Sequence, residues 1–500
     1  MNSIISLFLP LLTVICEQYG HHPYMQRKAA VRQGTDLCFE EQQYRAARVP
    51  YIKNACEKLV GHTLQDHQVP RIAFCGSGGG YRAMIATLGF LKGASKIGLL
   101  PATLYNSTVS GSSWAVAALV QSGMSVEKYS EQLPLQINTP ITQGNNNNQL
   151  MHALLKQFAC TQTITLVDLY GALLAQKLLS KMGNGNPLNI GFEEHVKFIR
   201  RTDMPMPIYS AIMSRSYDNG YLWTEFTPYE VGSWYLKSFI PSWAFGRRFC
   251  SGNSIDFDPP QSLGFLMGLW GSALSRNLHD IIRLYKDCLG DSAFAWELVI
   301  DFLSYITLLK DSVYPVYVAN WMLALDGVCK EQEWNMMFDA TLELGLALPP
   351  LLRPERGVDI IVICDATHCG INSCCATHCD APHAEAFSEL RKAQLYAQRH
   401  GLKFPPIGDL QENEPCSIHF DDDDPTAPVV IYIPLKADQQ YQQGWDPAQD
   451  FTHIFNFQYD QEQVKLLSGL MEHAVVASKK VIIEAIERVV ARKQITRLVV

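Results

Sequence analysis

Residues 71–114 read RIAFCGSGGGYRAMIATLGFLKGASKIGLLPATLYNSTVSGSSW. The run Ile72–Cys75 is short and apolar, as a buried strand requires. Gly76-Ser77-Gly78-Gly79-Gly80 follows at once and reads as a turn. Tyr81 to Ile97 then has helical spacing, with Arg82 near its start. Thr103–Asn106 is a second strand running into Val109-Ser110-Gly111-Ser112, and a second small-residue helix begins near Trp114. Strand, glycine turn, helix, strand, sharp turn, helix is the grammar of an α/β fold with a parallel sheet.

The chemistry this order suggests is nucleophilic. A serine on a strand-to-helix turn between small residues has its hydroxyl held up and exposed, and the helix behind it directs its positive end at that hydroxyl. Consecutive glycines let backbone N–H groups converge on one point, giving a cradle for an anion. A phosphate-loop reading lacks the Gly-Lys-Ser/Thr ending. A dinucleotide reading lacks its last glycine, because Ala83 stands there, and lacks the acidic residue about 20 positions on. A turn made only for packing is the remaining alternative.

GSGGGYRAM followed by TVSGSSW resembles the catalytic core of the group IV cytosolic phospholipase A2 family, relatives of patatin. Further matches follow in order: Trp223–Gly232, Phe265–Ser275, Leu351–Val362 and Phe455–Tyr459, so that the likeness runs over roughly residues 40–490. The resemblance implies a three-layer α/β/α domain around a mainly parallel sheet, with helical insertions. It implies a phospholipase A2 or lysophospholipase acting on glycerophospholipid esters through a Ser-Asp dyad. On the matching positions it makes Ser110 the nucleophile, Gly79 and Gly80 the oxyanion donors, and Arg82 a holder of the lipid phosphate; a salt bridge at the helix start is the alternative role for Arg82.

A serine hydroxyl needs a base. The family's Asp opens an Asp-small-Gly motif ahead of Arg-Pro-x-Arg-Gly-Val-Asp. Here Asp339-Ala340-Thr341-Leu342 precedes Arg353-Pro354-Glu355-Arg356-Gly357-Val358-Asp359 without a gap, which makes Asp339 the candidate base. Asp365, at the end of the apolar strand Ile360–Cys364, is the alternative. Three positions depart from the family pattern. Thr108 stands at the first glycine of the elbow, where a β-branched residue is expected to crowd a tight turn. Thr341 replaces the glycine after the acid, and Gly345 replaces an asparagine. A weak or inactive lipid-binding relative, or a transacylase, is therefore carried as an alternative.

Composition narrows the field. A net charge of −8 argues against non-specific nucleic-acid binding. Fourteen cysteines in 500 residues are unevenly placed, and free thiols in a reducing cytoplasm are the simpler reading. The apolar first 16 residues are too short to span a bilayer. We expect an N-terminal arm over 1–39, a catalytic domain over 40–490 with a lid or insertion at about 280–330, and a helical tail over 491–500. The stretch before the first core strand is too short for a β-sandwich of roughly 100 residues, so no calcium-binding C2 module, no metal and no cofactor is expected. Cys364 to His383 is rich in Cys and His, but its spacing fits no standard zinc finger. Asp421–Asp424 reads as a solvated loop rather than a calcium site. The expected partner is a phospholipid surface met from the cytoplasm, with export to another cell left open.

Overall fold

The computed structural model describes residues 23–24, 26–141, 143–161, 165–199, 204–214, 220–273, 316–323, 333–367, 388–408, 414–454 and 456–499. They fall into two compact units. The larger takes in Asp36–Thr139, Val196–Ser210 and Ala340–Val500, and the smaller Met1–Thr35, Pro140–His195 and Ala211–Asp339.

The larger unit is built on the opening stretch. Ile72–Gly76 and Thr103–Thr108 are adjacent parallel strands, every residue of each buried. Residues 206–209 of the strand Met206–Ser214 lie parallel on the far side of Thr103–Thr108. Ile360–Asp365 pairs in parallel with Ile72–Gly76 on one edge and with Val429–Pro434 on the other, and Ser417–His419 closes the row antiparallel. Strands covered on both faces read as unbroken apolar runs, as IAFC and IIVIC do.

Successive strand residues point to opposite faces, and here each face meets its own helices. Phe74 stacks edge-on with Phe90 at 5.0 Å, toward the helix Gly80–Ile97. Tyr105, in register with Ala73, points the other way and donates to Glu41 at 2.8 Å on the helix Phe39–Val60. The three layers inferred from sequence are present in this unit. The chain ends in two helices, Gln461–Ala477 and Lys479–Val499, the second taking in the expected helical tail up to Val499. Ser478 separates them, its hydroxyl donating to the Ala474 carbonyl at 2.7 Å. The acidic run is a loop. Asp424 meets Lys403 at 3.0 Å and Asp422 meets Arg488 at 3.2 Å, so these carboxylates are matched by protein cations.

The smaller unit is an antiparallel array. Arg32–Gln33, Ser238–Pro241, Glu230–Ser233 and Tyr221–Phe226 follow one another toward residues 211–214, where Trp334–Asp339 also pairs, and Val316–Ala319 pairs with the latter. Two helices, Asn147–Thr161 and Leu166–Leu178, belong to this unit, the second opened by a Thr165/Asp168 capping box. Trp223 and Phe226 are buried core residues, and Phe226 packs on Trp270. Of the expected 280–330 insertion only 316–323 is described. Residues 368–387 of the Cys/His tract lie outside the described residues, as does the arm before residue 23. Among the described residues, the cysteines 38, 56, 75, 250, 364 and 416 are free thiols. No described helix is long and apolar enough to cross a membrane.

Candidate active site

The strand Thr103–Thr108 ends one residue before a turn whose strain falls on a single side chain. Ser110 has φ +52° and ψ −125°, a region that costs a non-glycine residue about 1–3 kcal/mol. It occupies the N-cap of the helix Gly111–Ser122, where a serine hydroxyl ordinarily accepts a backbone N–H; here it makes no capping bond. Ser112, in the first turn, instead fixes the backbone before the turn: its hydroxyl accepts from Val109 N at 3.0 Å and donates to Val109 O at 2.7 Å. Thr108 does not crowd the turn as expected. It is the last residue of the strand, paired with Tyr209, and its hydroxyl donates to Ile208 O at 3.5 Å and lies 3.2 Å from Ser113 Oγ.

The glycine loop lies against this elbow. Gly79 and Gly80 have φ +130° and +60°, which only glycine adopts freely, and Gly80 begins the helix Gly80–Ile97. A Cβ on Gly111 would run into the Gly80 carbonyl, so the two helix N-termini meet at their glycines. A Cβ on Gly78 would stand 3.4 Å from Ser110 Cβ. Two positive helix ends beside one hydroxyl favour a developing negative charge. Arg82 is buried. It donates from Nε to Ala366 O at 2.8 Å and from Nη1 to Thr452 O at 3.2 Å, and Nη2 lies alongside Gly79. The salt bridge weighed for it at sequence level is replaced by these carbonyl contacts.

Asp339 closes the strand Trp334–Asp339, in register with Ala211, and is fully buried. Its Oδ2 accepts from Ala273 N at 3.1 Å, and its own N–H donates to Ser272 Oγ at 3.2 Å. Ser272 and Ala273 belong to the quoted run Phe265–Ser275, whose role as a holder of the acid was not legible from spacing. Two residues on, the Thr341 methyl sits over Gly78. Residues 345–347 then lie along the glycine loop: Gly78 N donates to Gly345 O at 2.9 Å and Ala347 N to Gly76 O at 3.2 Å. Asp365, the alternative base, has both carboxylate oxygens engaged by neighbours. Its Oδ1 accepts from Thr367 N and Oγ1 at 2.8 and 2.6 Å, and its Oδ2 from Tyr432 at 2.7 Å.

Residues 72–372 match the model of the lysophospholipase catalytic domain. The chain belongs to that family. Among curated relatives, human cytosolic phospholipase A2 zeta is 25% identical over 472 residues, covering 81% of this chain and 53% of that protein. Human cytosolic phospholipase A2 beta is 24% identical over 549 residues, covering 94% and 68%. The mouse gamma enzyme is 31% identical over 259 residues, covering 50% and 41%. The chain thus spans about half the length of the first of these relatives. Of solved structures, human GIVD cytosolic phospholipase A2 superposes with a TM-score of 0.76 at 21% identity, covering 92% of this chain and 66% of that one. Its complex with methyl gamma-linolenyl fluorophosphonate gives 0.70 at 22% identity, covering 93% and 66%.

Proposed function

We propose that this chain is a lipid acyl hydrolase of the phospholipase A2 and lysophospholipase kind, working through a serine acyl-enzyme. The observation that carries the reading is Ser110: a serine in a strained backbone conformation, its hydroxyl released from capping duty, beside a loop of positive-φ glycines. Asp339 is the proposed base, supported by its place in the family motif and by Thr341, two residues later, standing over Gly78.

Ser110 Oγ attacks the ester carbonyl carbon as its proton passes to Asp339. The Gly79 and Gly80 amides hold the oxyanion, each donor typically worth about 3–4 kcal/mol. Collapse breaks the bond to the glycerol oxygen, which takes the proton from Asp339 and leaves as lysophospholipid. Water gives its proton to Asp339 and attacks the acyl-serine; the bond to Ser110 Oγ then breaks, Asp339 returns the proton to Oγ, and the fatty acid leaves. Arg82 is the proposed holder of the lipid phosphate, a reading supported by its Nη2 lying alongside Gly79. The substrate is drawn from a membrane surface, and the residues assigned here need no metal.

A fluorophosphonate lipid analogue should label Ser110 in the wild type and not in Ser110→Ala, and hydrolysis should fall at least about a thousandfold in Ser110→Ala and Asp339→Ala. Full activity in both variants removes the mechanism. A lipid-binding relative without turnover is the second reading, favoured by the Thr341 methyl against the glycine loop; lipid binding without Ser110 labelling would select it.

A further inference from the structure

We propose that Glu389 is a positioning residue for the glycine loop, acting through Gly345; this rests on the reading of that loop as the oxyanion cradle. The loop does not hold itself. Ser77 bridges to Leu346, Gly78 N–H donates to Gly345 O at 2.9 Å, and Ala347 N–H donates to Gly76 O at 3.2 Å, so residues 345–347 form a backbone strip along residues 76–78. The strip needs a fixed end. Gly345 N–H donates to Glu389 Oε2 at 2.7 Å, across 44 residues of sequence. Glu389 sits in the first turn of the helix Ser388–Arg399, and its other oxygen accepts from Lys392 at 2.7 Å.

Gly345 explains why a carboxylate reaches this point. A Cβ there would lie 2.9 Å from Glu389 Oε2 and 2.8 Å from Thr367 Cγ2, so a side chain would push the carboxylate off the amide. Where the resembled family carries asparagine, this chain uses glycine and an acid brought in by a separate helix. Gly345 is buried, so losing the acceptor leaves an unsatisfied N–H and frees the strip. The Gly78 peptide then loses its anchor, and the next two amides, Gly79 and Gly80, lose their aim.

The test uses the full chain with Glu389→Ala and Glu389→Gln, read by kcat and KM on a soluble aryl ester, by fluorophosphonate labelling rate, by melting temperature, and by hydrogen exchange of a peptide spanning residues 72–84. Glu389→Gln keeps an acceptor oxygen and should stay within about threefold of wild type. Glu389→Ala should lose about 10- to 100-fold in kcat, the scale of a small misplacement, with KM within twofold, labelling slowed in proportion, and Gly78 exchange accelerated. Unchanged Gly78 exchange in Glu389→Ala overturns the proposal, as does a kcat loss matched by loss of folded protein, or a Glu389→Gln as poor as Glu389→Ala. If wild type neither turns over nor labels, the acyl-hydrolase reading falls, and the exchange measurement alone still decides whether Glu389 holds the loop.

Discussion

Gly78 meets two side chains at once, and that makes it the sharpest probe of the site. A Cβ there would collide with Thr341 Cγ2 and touch Ser110 Cβ at 3.4 Å. Gly78→Ala should cost about 100-fold in kcat/KM, in the range of one lost oxyanion donor. Adding Thr341→Gly should recover at least about tenfold, since it removes the harder collision. Steady-state kinetics on the two single variants and the double one measure this coupling, and a double variant no better than Gly78→Ala would count against it. The proposed nucleophile, the proposed cradle and Arg82 could be picked out as candidates because each lies within a few residues of its neighbours. The expectation that Thr108 crowds the turn did not hold because strand pairing to Tyr209 still includes that residue, so the turn begins beyond it. Glu389 left no signal, because it reaches the loop through the backbone of a distant segment.

At the scale of elements, close helix approach is set by glycines. The helices Gly80–Ile97 and Gln461–Ala477 pack so tightly that a Cβ on Gly89 would enter the Ser468 backbone. Gly89→Val should destabilise by about 3 kcal/mol, and thermal unfolding should show it as a lower Tm. A variant that melts with wild type would mean the helices can separate freely. In the smaller unit, Asp168 is 7% exposed and burial pushes its carboxyl from 3.8 to about 6. Its folded value is the higher one, so the native state binds more protons between these limits and stability falls as pH rises from about 4 to 6. The penalty at neutral pH is about 3 kcal/mol. Asp168→Asn removes the titration, so its Tm relative to wild type should climb over that pH span; a constant difference would refute the assignment. Thr165-x-x-Asp168 is also a capping signature, and it opens the helix Leu166–Leu178. Apolar spacing registers helical period better than it registers the point where one helix stops.

At the scale of the whole chain, the α/β class and the parallel core strands followed from residues 71–114. The strand order did not, because Ile360–Asp365 enters between Ile72–Gly76 and Val429–Pro434 from nearly 300 residues away, which no local pattern records. One buried cluster shows how such separation is bridged. Arg356 Nε meets Glu41 at 3.0 Å, and Tyr105 donates to the same carboxylate. Burial pushes the Glu41 carboxyl up, but the charge and hydrogen bonds of Arg356, with Arg353 and Tyr105, hold it below its ordinary value. The cluster's stability is therefore present above about 4.5 and lost as pH falls through the depressed value. Glu41 lies outside the matched family region, 72–372, as does the core strand Val429–Pro434. A fragment of residues 72–372 keeps Ser110, Asp339 and Arg356 but leaves a buried guanidinium without its carboxylate, which typically costs about 3–5 kcal/mol. It also strips one edge of Ile360–Asp365 of its partner strand, leaving ladder groups unpaired. Against a net stability of roughly 5–15 kcal/mol, these losses are decisive. The fragment should show no cooperative melt, whereas the full chain should. Glu41→Ala in the full chain should lower Tm while Glu41→Gln, which keeps one acceptor oxygen for Arg356 where the carboxylate has two, lowers it less. A fragment that melts cooperatively and labels at Ser110 would show that the first helix and the later strands are ornaments on a smaller folding unit.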